Sequence, residues 1–398
     1  MTQNRRNIIL LFFTLVVVMM GFGMVIPIFP FYVEYFGASG SELGLLMASY
    51  ATMQFFFAPL WGRLSDRFGR KPVLLVGVLG NALTQLFFGL ATALWMLFAA
   101  RILAGILSSA TLPTAMAYIG DSTSDEERGG GMGIIGAAMG VGMVLGPGLG
   151  GWLAADSLST PFFLAAGLSL VALLLIYALL PESLPERERV EVTEEGGSRW
   201  RELTGALYGP IGLLLALAFV LSFGLTNFES VFGLYSLHRF DYGPQRVGML
   251  LAVIGIISAV VQGMLTGPLS RRWGEVRIVQ LSLLGSAVGF VLMILAYDLL
   301  TVLLTIGFFV SSNAMLRPAI SSLTSKRATV GQGVAMGLNN SFMSLGRIAG
   351  PIWAGFLFDV DIHYPYISGG VVMLLGLVVS VVWLSREEPE AAPRTASV

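Results

Sequence analysis

Twelve long apolar runs dominate this 398-residue sequence. A helical crossing of a lipid bilayer takes about 20 consecutive apolar residues. The runs lie at about 8–33, 43–62, 72–93, 95–118, 130–155, 160–180, 209–236, 246–268, 276–297, 299–323, 332–358 and 364–384. Lipid offers no hydrogen-bond partners, so the backbone of each run must bond within its own helix. The runs therefore predict an all-α membrane protein with twelve transmembrane helices.

The composition excludes several classes of protein. Hydrophobic residues make up 55% of the chain and charged residues 12%, against about 25% charged in soluble domains. The formal net charge of −1 predicts no nucleic-acid partner. Cysteine is absent, which excludes disulfides and cysteine-ligated metals. We expect a monomer in the lipid bilayer, with no metal and no cofactor.

Basic residues between the runs predict the orientation. If both termini are cytoplasmic, 18 of the 23 lysines and arginines face the cytoplasm, and only Arg239 and Arg246 lie outside. Cytoplasmic loops of membrane proteins carry an excess of lysine and arginine. The sequence therefore predicts a multi-pass protein of the cell membrane with both termini in the cytoplasm.

A two-part pattern occurs twice, about half a chain apart. Segment 62–71, between the second and third runs, is repeated at 267–274 with an offset of 205. Glycines of the fifth run recur in the eleventh with an offset of 204, as Gly146 and Gly350 do. The halves are therefore degenerate copies, which predicts two pseudo-symmetric six-helix bundles. Such repeats are typical of transporters in which one half moves against the other.

A polar stretch divides the two halves. Residues 181–208 are rich in glutamate and arginine and are predicted to form a cytoplasmic linker. The predicted organisation is an N-terminal bundle at 1–180, this linker, a C-terminal bundle at 209–385 and a cytoplasmic tail at 386–398.

Several local patterns resemble one family of transporters. They are segment 62–71, Arg101 with Gly105, the glycines from Gly133 to Gly151, and the strings 221–230, 316–320 and 337–342. With these residues the chain resembles the major facilitator superfamily, and within it the twelve-helix drug–proton antiporters of the Bmr and NorA type. The resemblance implies the major facilitator fold. It also implies export of lipophilic small molecules (multidrug efflux, hence antibiotic resistance) by proton antiport with alternating access.

The segment between the second and third runs is predicted to be a gating loop. Gly62 and Gly69 allow a sharp turn and a close approach of backbones. A carboxylate is favoured at a helix N-terminus, so Asp66 is expected there, with Arg70 or Lys71 as its ion-pair partner. Such a latch would hold the cytoplasmic side closed until the halves move. A basic loop that serves only orientation is the alternative.

Small residues line one face of the fifth run. Gly142, Gly146 and Gly150 recur every four residues, which lets another helix pack closely. Pro147 bends or stiffens the helix at this level. We interpret this antiporter motif as a tight contact between the two halves that also blocks proton leakage.

Glu229 lies well inside the seventh run. An ionised acid in a bilayer costs about 3 kcal/mol or more unless it is paired or hydrated, so this carboxyl is expected to hold a proton in one conformation. The resemblance agrees, because the matching glutamate of the group is implicated in drug and proton binding. We predict that Glu229 is the proton-coupling residue; a purely structural hydrogen bond is the alternative.

Three arginines lie within the apolar runs, namely Arg101, Arg317 and Arg347. Each needs a counter-charge, backbone carbonyls or water. Arg101 and Arg317 match positions of the family and are predicted to be cavity charge partners, with snorkelling to the membrane surface as the alternative. The related antiporters usually have asparagine at position 347, and no role follows for Arg347. They usually have aspartate where this chain has Ala314.

The substrate cavity is predicted to be apolar and aromatic, which suits a lipophilic ligand. Its predicted lining consists of Phe223, Phe228, Phe232, Phe308, Asn313, Asn339, Asn340, Phe342 and Met343. Because arginines outnumber acids in the runs, a cavity of net positive charge would attract anions. A proton-coupled carrier for an anionic, zwitterionic or lipid-like solute is therefore the alternative function.

The sequence does not favour an enzyme. The only two histidines, His238 and His363, fall in predicted outer loops. There is no nucleophile–base pair and no phosphate-binding GxxxxGK[ST] loop. We therefore predict no catalytic residue.

Overall fold

The computed structural model describes residues 3–123, 125–184, 209, 211–328 and 331–384. These residues are almost entirely helical and contain no strand. The helices are α1 Gln3–Tyr35, α2 Gly40–Phe68, α3 Arg70–Gly89, α4 Leu94–Ser122, α5 Asp125–Leu153, α6 Thr160–Leu179, α7 Gly212–Phe240, α8 Pro244–Trp273, α9 Glu275–Leu295, α10 Leu299–Arg327, α11 Gln332–Val360 and α12 Tyr364–Leu384. The all-α architecture predicted from the apolar runs is confirmed.

Three of these helices are interrupted close to a proline. α4 contains the 3₁₀ turn Ser108–Ala110, α8 contains the π turn Val261–Leu265, and α10 breaks at Met315. Proline has no N–H, so the carbonyl four residues earlier loses its helical partner. The prolines are Pro113, Pro268 and Pro318. Each interruption lies at or next to the carbonyl that its proline leaves unbonded.

Eleven of the twelve described helices are long and apolar enough to cross a membrane. Among the described helices, the exception is α11, which carries Asn339, Asn340, Arg347 and Asp359. Polar and charged groups are costly against lipid. α11 therefore depends on protein neighbours for its place in the bilayer.

The chain divides into two compact units. The first consists of 1–197, 225–259 and 347–365, and the second of 198–224, 260–346 and 366–398. The first unit therefore joins α1–α6 to one end of α7, α8 and α11. The second unit holds the other ends of these three helices with α9, α10 and α12. Residues 185–208 of the predicted linker and the predicted tail lie outside the described residues, so the domain boundaries stay predictions.

Five of the first six helices, α1 and α3–α6, share a buried apolar core. Its fully buried members include Leu11 and Leu15 of α1, Leu74 of α3, Tyr118 of α4 and Ile176 of α6. Inside a bilayer such a core stabilises the bundle through close van der Waals packing of its helices. The core holds in place α4, which carries Arg101.

Candidate functional site

Glu229 lies on α7, in the first unit, and its side chain is partly buried. Its neighbours Phe228 and Phe232 are buried, with ring centroids 5.0 Å apart. Asn227 is fully buried and donates to the carbonyl of Pro365 at 2.8 Å. Within the described residues, nothing donates to the Glu229 carboxylate or pairs with it. The carboxylate is therefore available to a proton or a ligand.

Arg101 lies on α4 and is almost fully buried, with 4% of its surface exposed. Its Nε donates to the carbonyl of Leu46 at 3.4 Å, and its Nη2 contacts Sδ of Met47 at 3.3 Å. The guanidinium carbon lies 5.0 Å from the ring centroid of Tyr50 and 5.1 Å from that of Phe29. A cation over aromatic faces is stabilised by the ring quadrupole. Rings and two weak acceptors therefore hold this charge.

Arg101 borders a cavity of about 40 Å³ inside the first six helices. Polar side chains of Gln54, Asn81 and Gln85 line this cavity together with apolar ones. The sequence placed Arg101 at a cavity, and the structure has it at one that lies within the first half of the chain.

The residues predicted to line a substrate cavity are divided between the units. Phe228 and Phe232 belong to the first unit, and Phe223, Phe308, Asn313, Asn339, Asn340, Phe342 and Met343 to the second. Arg317 also belongs to the second unit and is exposed. Asn313 and Asn339 are buried there, whereas 44% of Phe308 is exposed. The predicted lining stays a prediction, because no single unit holds it.

The segment predicted as a gating loop is mostly helix. α2 continues to Phe68 and α3 begins at Arg70, so the chain turns on Gly69 alone, at φ +101°. A residue with a Cβ is strained at this φ. Gly62 is helical, and a Cβ on it would meet nothing within 4 Å. The expectation that Gly62 serves the turn or a close approach is wrong, because the turn is shorter than the segment.

Arg70 connects helix ends within the first half. Its Nη1 lies 2.5 Å from Oδ1 of Asp66, the predicted pair, and its Nε lies 2.8 Å from Oδ2 of Asp121. The N-terminus of α3 is capped by Glu182, which accepts from the backbone N–H groups of Arg70 at 2.8 Å and Lys71 at 3.1 Å. Glu182 thus fills at α3 the helix-terminus role expected of Asp66. The only feature of the sequence that points to Glu182 as a cap is that this acid directly follows Pro181.

The second half repeats the pair of Arg70 and Asp121 with the charges exchanged. Glu275 and Lys326 stand at the corresponding positions, each 205 residues further along, and their side chains form an ion pair. The Glu275 carboxylate also accepts from Oγ of Ser322 at 3.0 Å. This pair joins α9 to α10, as Arg70 and Asp121 join α3 to α4. An ion pair therefore joins these helix ends in both halves, but the acidic and the basic residue have exchanged positions.

The glycine stripe of α5 packs against α1. A Cβ on Gly146 would lie 2.6 Å from the carbonyl oxygen of Met20, and one on Gly150 would lie 2.9 Å from Cα of Met24. Gly142 meets the same helix. Gly142, Gly146 and Gly150 therefore pack within one half, contrary to the expectation that they join the two halves, whereas Pro147 and Gly151 of the same motif contact Gly248 of the other half. The spacing identified close packing correctly, but it carries no information on the partner helix.

Contacts between the halves involve other small residues. A Cβ on Gly248 of α8 would lie 2.7 Å from Cα of Gly151 on α5 and would also meet the carbonyl oxygen of Pro147. A Cβ on Gly44 of α2 would lie 3.2 Å from Cα of Gly355 on α11. The two contacts correspond through an offset of 204. The first unit is therefore closed, at the end where α1 finishes, by a symmetry-related pair of glycine contacts.

Asp359 of α11 caps α2 at the same end. Its carboxylate accepts from the backbone N–H groups of Gly40 at 2.6 Å and Ser41 at 2.9 Å. A carboxylate at a helix N-terminus is stabilised by the helix dipole. Nearby, Oε2 of Glu34 on α1 lies 3.2 Å from Nε2 of His238 on α7. Neither contact is predictable from the sequence, because spacing along one helix does not identify a partner in the other half.

Comparisons with known proteins give the family. The family model described as Major Facilitator Superfamily matches residues 11–329 and 244–397. The chain belongs to the major facilitator superfamily. Multidrug resistance protein 2 of Bacillus subtilis (strain 168) is 34% identical to it over 393 residues, 98% of either chain. Quinolone resistance protein NorA of Staphylococcus aureus (strain COL) is 30% identical over 379 residues, 95% of this chain and 96% of NorA.

Solved structures of major facilitator proteins share the fold. A bacterial homologue of the human lysosomal transporter Spinster, inward-facing and occupied, has a TM-score of 0.81 at 13% identity, covering 97% of both chains. The human organic anion transporter MFSD10 has a TM-score of 0.69 at 24% identity, covering 95% of this chain and 99% of that one. The predicted fold is confirmed. Membership of this family also makes the chain a transporter, not an enzyme.

Charged groups of this major facilitator protein are of two kinds. Some of those at helix ends form ion pairs, as Arg70 and Asp121 do. Inside the helices, Glu229 and Arg101 have no ion-pair partner in the part of the chain that the structure describes. Unpaired charges inside a bilayer are expensive and mark functional positions. These two residues are therefore the strongest candidates for the transport site.

Proposed function

We propose that this major facilitator protein exports lipophilic small molecules from the cell by exchange for protons. The observation that carries the proposal is the lone carboxyl of Glu229 on a membrane-spanning helix, between buried aromatic neighbours. Two multidrug resistance proteins of Bacillus subtilis, 34% and 33% identical over nearly their whole length, support the substrate class.

Glu229 couples the two movements by changing its protonation. When the site faces the more acidic side, the carboxyl takes up a proton. The neutral carboxyl costs less to bury than the anion, so the conformational change can proceed. When the site faces the cytoplasm, the proton leaves and the anion prefers water. Substrate release and proton uptake thus occupy one side of the cycle, and substrate binding and proton loss occupy the other.

The closed end of the first unit is the outer side in this proposal. This assignment rests on the distribution of basic residues, which predicts both termini in the cytoplasm. The glycine contacts and the Asp359 cap then seal the transport path from the outside. Opening of this end must break both before a substrate can leave.

The paired groups of segment 62–71 are proposed to act at the cytoplasmic end. Asp66, Arg70 and Lys71 hold the α2–α3 turn, which Gly69 makes possible, and keep the first six helices together as the halves move. The aromatic and asparagine side chains named for the second half, with Arg317, are proposed to line the substrate path. The transporter is proposed to act as a monomer.

Transport by purified protein in liposomes tests the proposal. With an imposed pH gradient, the wild type should accumulate rhodamine 6G, a lipophilic cationic dye, against its gradient, and collapse of the pH gradient should stop accumulation. Glu229→Gln should fold normally and lose the pH-driven component. Asp156→Asn, which removes an exposed loop carboxylate, is the matched control and should transport normally. Unchanged pH-driven uptake by Glu229→Gln would refute the coupling role.

A further inference from the structure

The cavity beside Arg101 has positive charge and no acid to balance it. Its lining includes Arg101, Tyr50, Gln54 and Ser108, and none of the described lining residues is aspartate or glutamate. A guanidinium carries five N–H donors. Two of them reach weak acceptors, the carbonyl of Leu46 and the sulfur of Met47. The remaining donors are left for a ligand or water.

Other donors border the same cavity. The Ser108 hydroxyl is buried and has no hydrogen-bond partner within the described residues. The Tyr50 hydroxyl accepts from Nε2 of Gln54 at 3.4 Å, which leaves its own proton free to donate. A buried polar group without a hydrogen-bond partner destabilises the protein. A ligand that accepts from these groups would recover that cost.

A second guanidinium acts on the same place. Arg347 of α11 lies close enough to Tyr50 to act electrostatically on its hydroxyl, as Arg101 does from α4. Arg347 is exposed along its helix, whereas Arg101 is buried. Positive charges from both halves of the chain therefore act on Tyr50.

The wall of the cavity is aromatic as well as basic. The guanidinium carbon of Arg101 lies 5.0 Å from the ring centroid of Tyr50 and 6.0 Å from that of Phe22, and both rings line the cavity. The ring centroids of Phe22 and Tyr50 are 5.2 Å apart. Flat apolar faces next to a planar cation suit a ligand whose anionic group is attached to an aromatic body.

We infer that the cavity binds the carboxylate of lipophilic aromatic acids, with Arg101, Tyr50 and Ser108 as donors and Arg347 as a second positive charge. The inference deepens the proposed export function, on which it rests, by naming a substrate class. A volume of about 40 Å³ takes the carboxylate, and the aromatic body extends from it along the rings of Phe22 and Tyr50, which line the same cavity. Cationic and neutral compounds would bind without using this site.

Binding of a matched acid and ester tests the inference. The full chain in lipid nanodiscs is titrated with 1-pyrenebutyrate and with its methyl ester, and pyrene anisotropy reports binding. The wild type should bind the acid at least about tenfold more tightly than the ester, because the ester leaves the buried guanidinium without an anionic partner. Equal affinity for the two probes would overturn the inference, whatever the variants do.

Two variants locate the site. Arg101→Gln should weaken binding of the acid about tenfold or more and change binding of the ester less than about twofold. Arg347→Gln, at an exposed position, should weaken the acid about threefold and serves if Arg101→Gln fails to fold. Arg246→Gln, which removes an exposed positive charge at the start of α8, should change neither. Equal loss of both probes in Arg101→Gln and Arg347→Gln would mean a general structural defect and contradict the site.

Transport assays distinguish the carboxylate site from the proposed export by proton antiport. If pH-driven uptake of rhodamine 6G persists while acid and ester bind equally, the carboxylate site fails and the export proposal stands. If the wild type shows no pH-driven transport yet prefers the acid, the antiport proposal fails and the carboxylate site stands.

Discussion

Arg70 and Asp121 form the ion pair that joins α3 to α4, with Nε of the arginine 2.8 Å from Oδ2 of the aspartate. The same position in the second half holds Glu275 and Lys326, also paired. A duplication that exchanges the charges and keeps the pair indicates that attraction between these helix ends is required in each half. The two pairs differ in their exposure to water. We therefore expect them to contribute differently to the free energy of unfolding.

Neutralising the acid should cost more in the first half than in the second. Only 8% of the Arg70 side chain is exposed, against 60% of Lys326. Asp121→Asn should lower the free energy of unfolding by about 2 kcal/mol, because it leaves a buried cation with one fewer partner. Glu275→Gln should cost about 0.5 kcal/mol, since Lys326 regains water. Thermal unfolding of the two variants in one detergent measures the difference, and equal losses would contradict this account.

A methyl group at the glycine contacts should force the closed end open. Gly248→Ala and Gly44→Ala each place a Cβ against a facing backbone, with a cost of about 1–3 kcal/mol that opening removes. The ratio of closed to open protein should therefore fall about tenfold. Because the chain has no cysteine, Ala252→Cys on α8 gives a single label site that faces Gly148 of α5.

Labelling of that cysteine by an impermeant maleimide from the outer side should accelerate about tenfold in Gly248→Ala. Gly133→Ala is the matched control on α5, because a Cβ there would meet nothing within 4 Å. Equal labelling rates in the two variants would show that the glycine contact does not hold this end closed.

The Asp359 cap should add to the same closure. Asp359→Asn keeps the shape of the side chain but removes the charge that faces the N-terminus of α2, a loss of about 1 kcal/mol. Labelling at Ala252→Cys should then rise severalfold. Asp361→Asn, two residues on and bonded to His363, is the control and should have no effect. The cap hypothesis is wrong if both variants accelerate labelling alike.

The cap of α10 should make stability depend on pH. Hydrogen bonds from the side chain and backbone of Thr301 hold the pKa of Asp298 below its ordinary value of 3.8. A lowered folded pKa stabilises the fold above the unfolded value and loses that effect as the pH falls through the folded one. Asp298→Ala should therefore lower the unfolding midpoint at pH 7, and the difference from wild type should narrow below about pH 3.8.

Asp298→Asn is the control for that series. It keeps an acceptor for the Thr301 N–H but cannot ionise, so its difference from wild type should be smaller at pH 7 and should also narrow in acid. An Asp298→Ala deficit of the same size at both ends of the pH range would contradict an ionised cap.

The sequence predicted the properties that depend on a single helix, namely its span and its closely packed face. Apolar length gave the twelve helices, and the four-residue spacing of Gly142, Gly146 and Gly150 gave a closely packed face. Partners in space were not predictable. The spacing could not choose between α1 and the other half, and nothing near Asp66 pointed to Glu182 as the cap of α3. The positions of Glu229 and Arg101 within membrane-spanning helices were predictable because a charge inside an apolar run is conspicuous. Tyr50, which lies beside Arg101, resembles any other aromatic residue of its span.

The π turn at Val261–Leu265 absorbs a one-residue length difference between the duplicated halves. Gly44 and Gly248 correspond at an offset of 204, but Gly69 and Gly274, on the far side of the π turn, correspond at 205. A π turn takes one extra residue into a helix, so the insertion need not shift the residues that follow. The eighth span has thus gained a residue in mid-membrane, and its far end still reaches a glycine turn of the same hand as its counterpart. Because a π turn accommodates the added residue, duplicated membrane-spanning halves can come to differ in length while each intermediate sequence still folds.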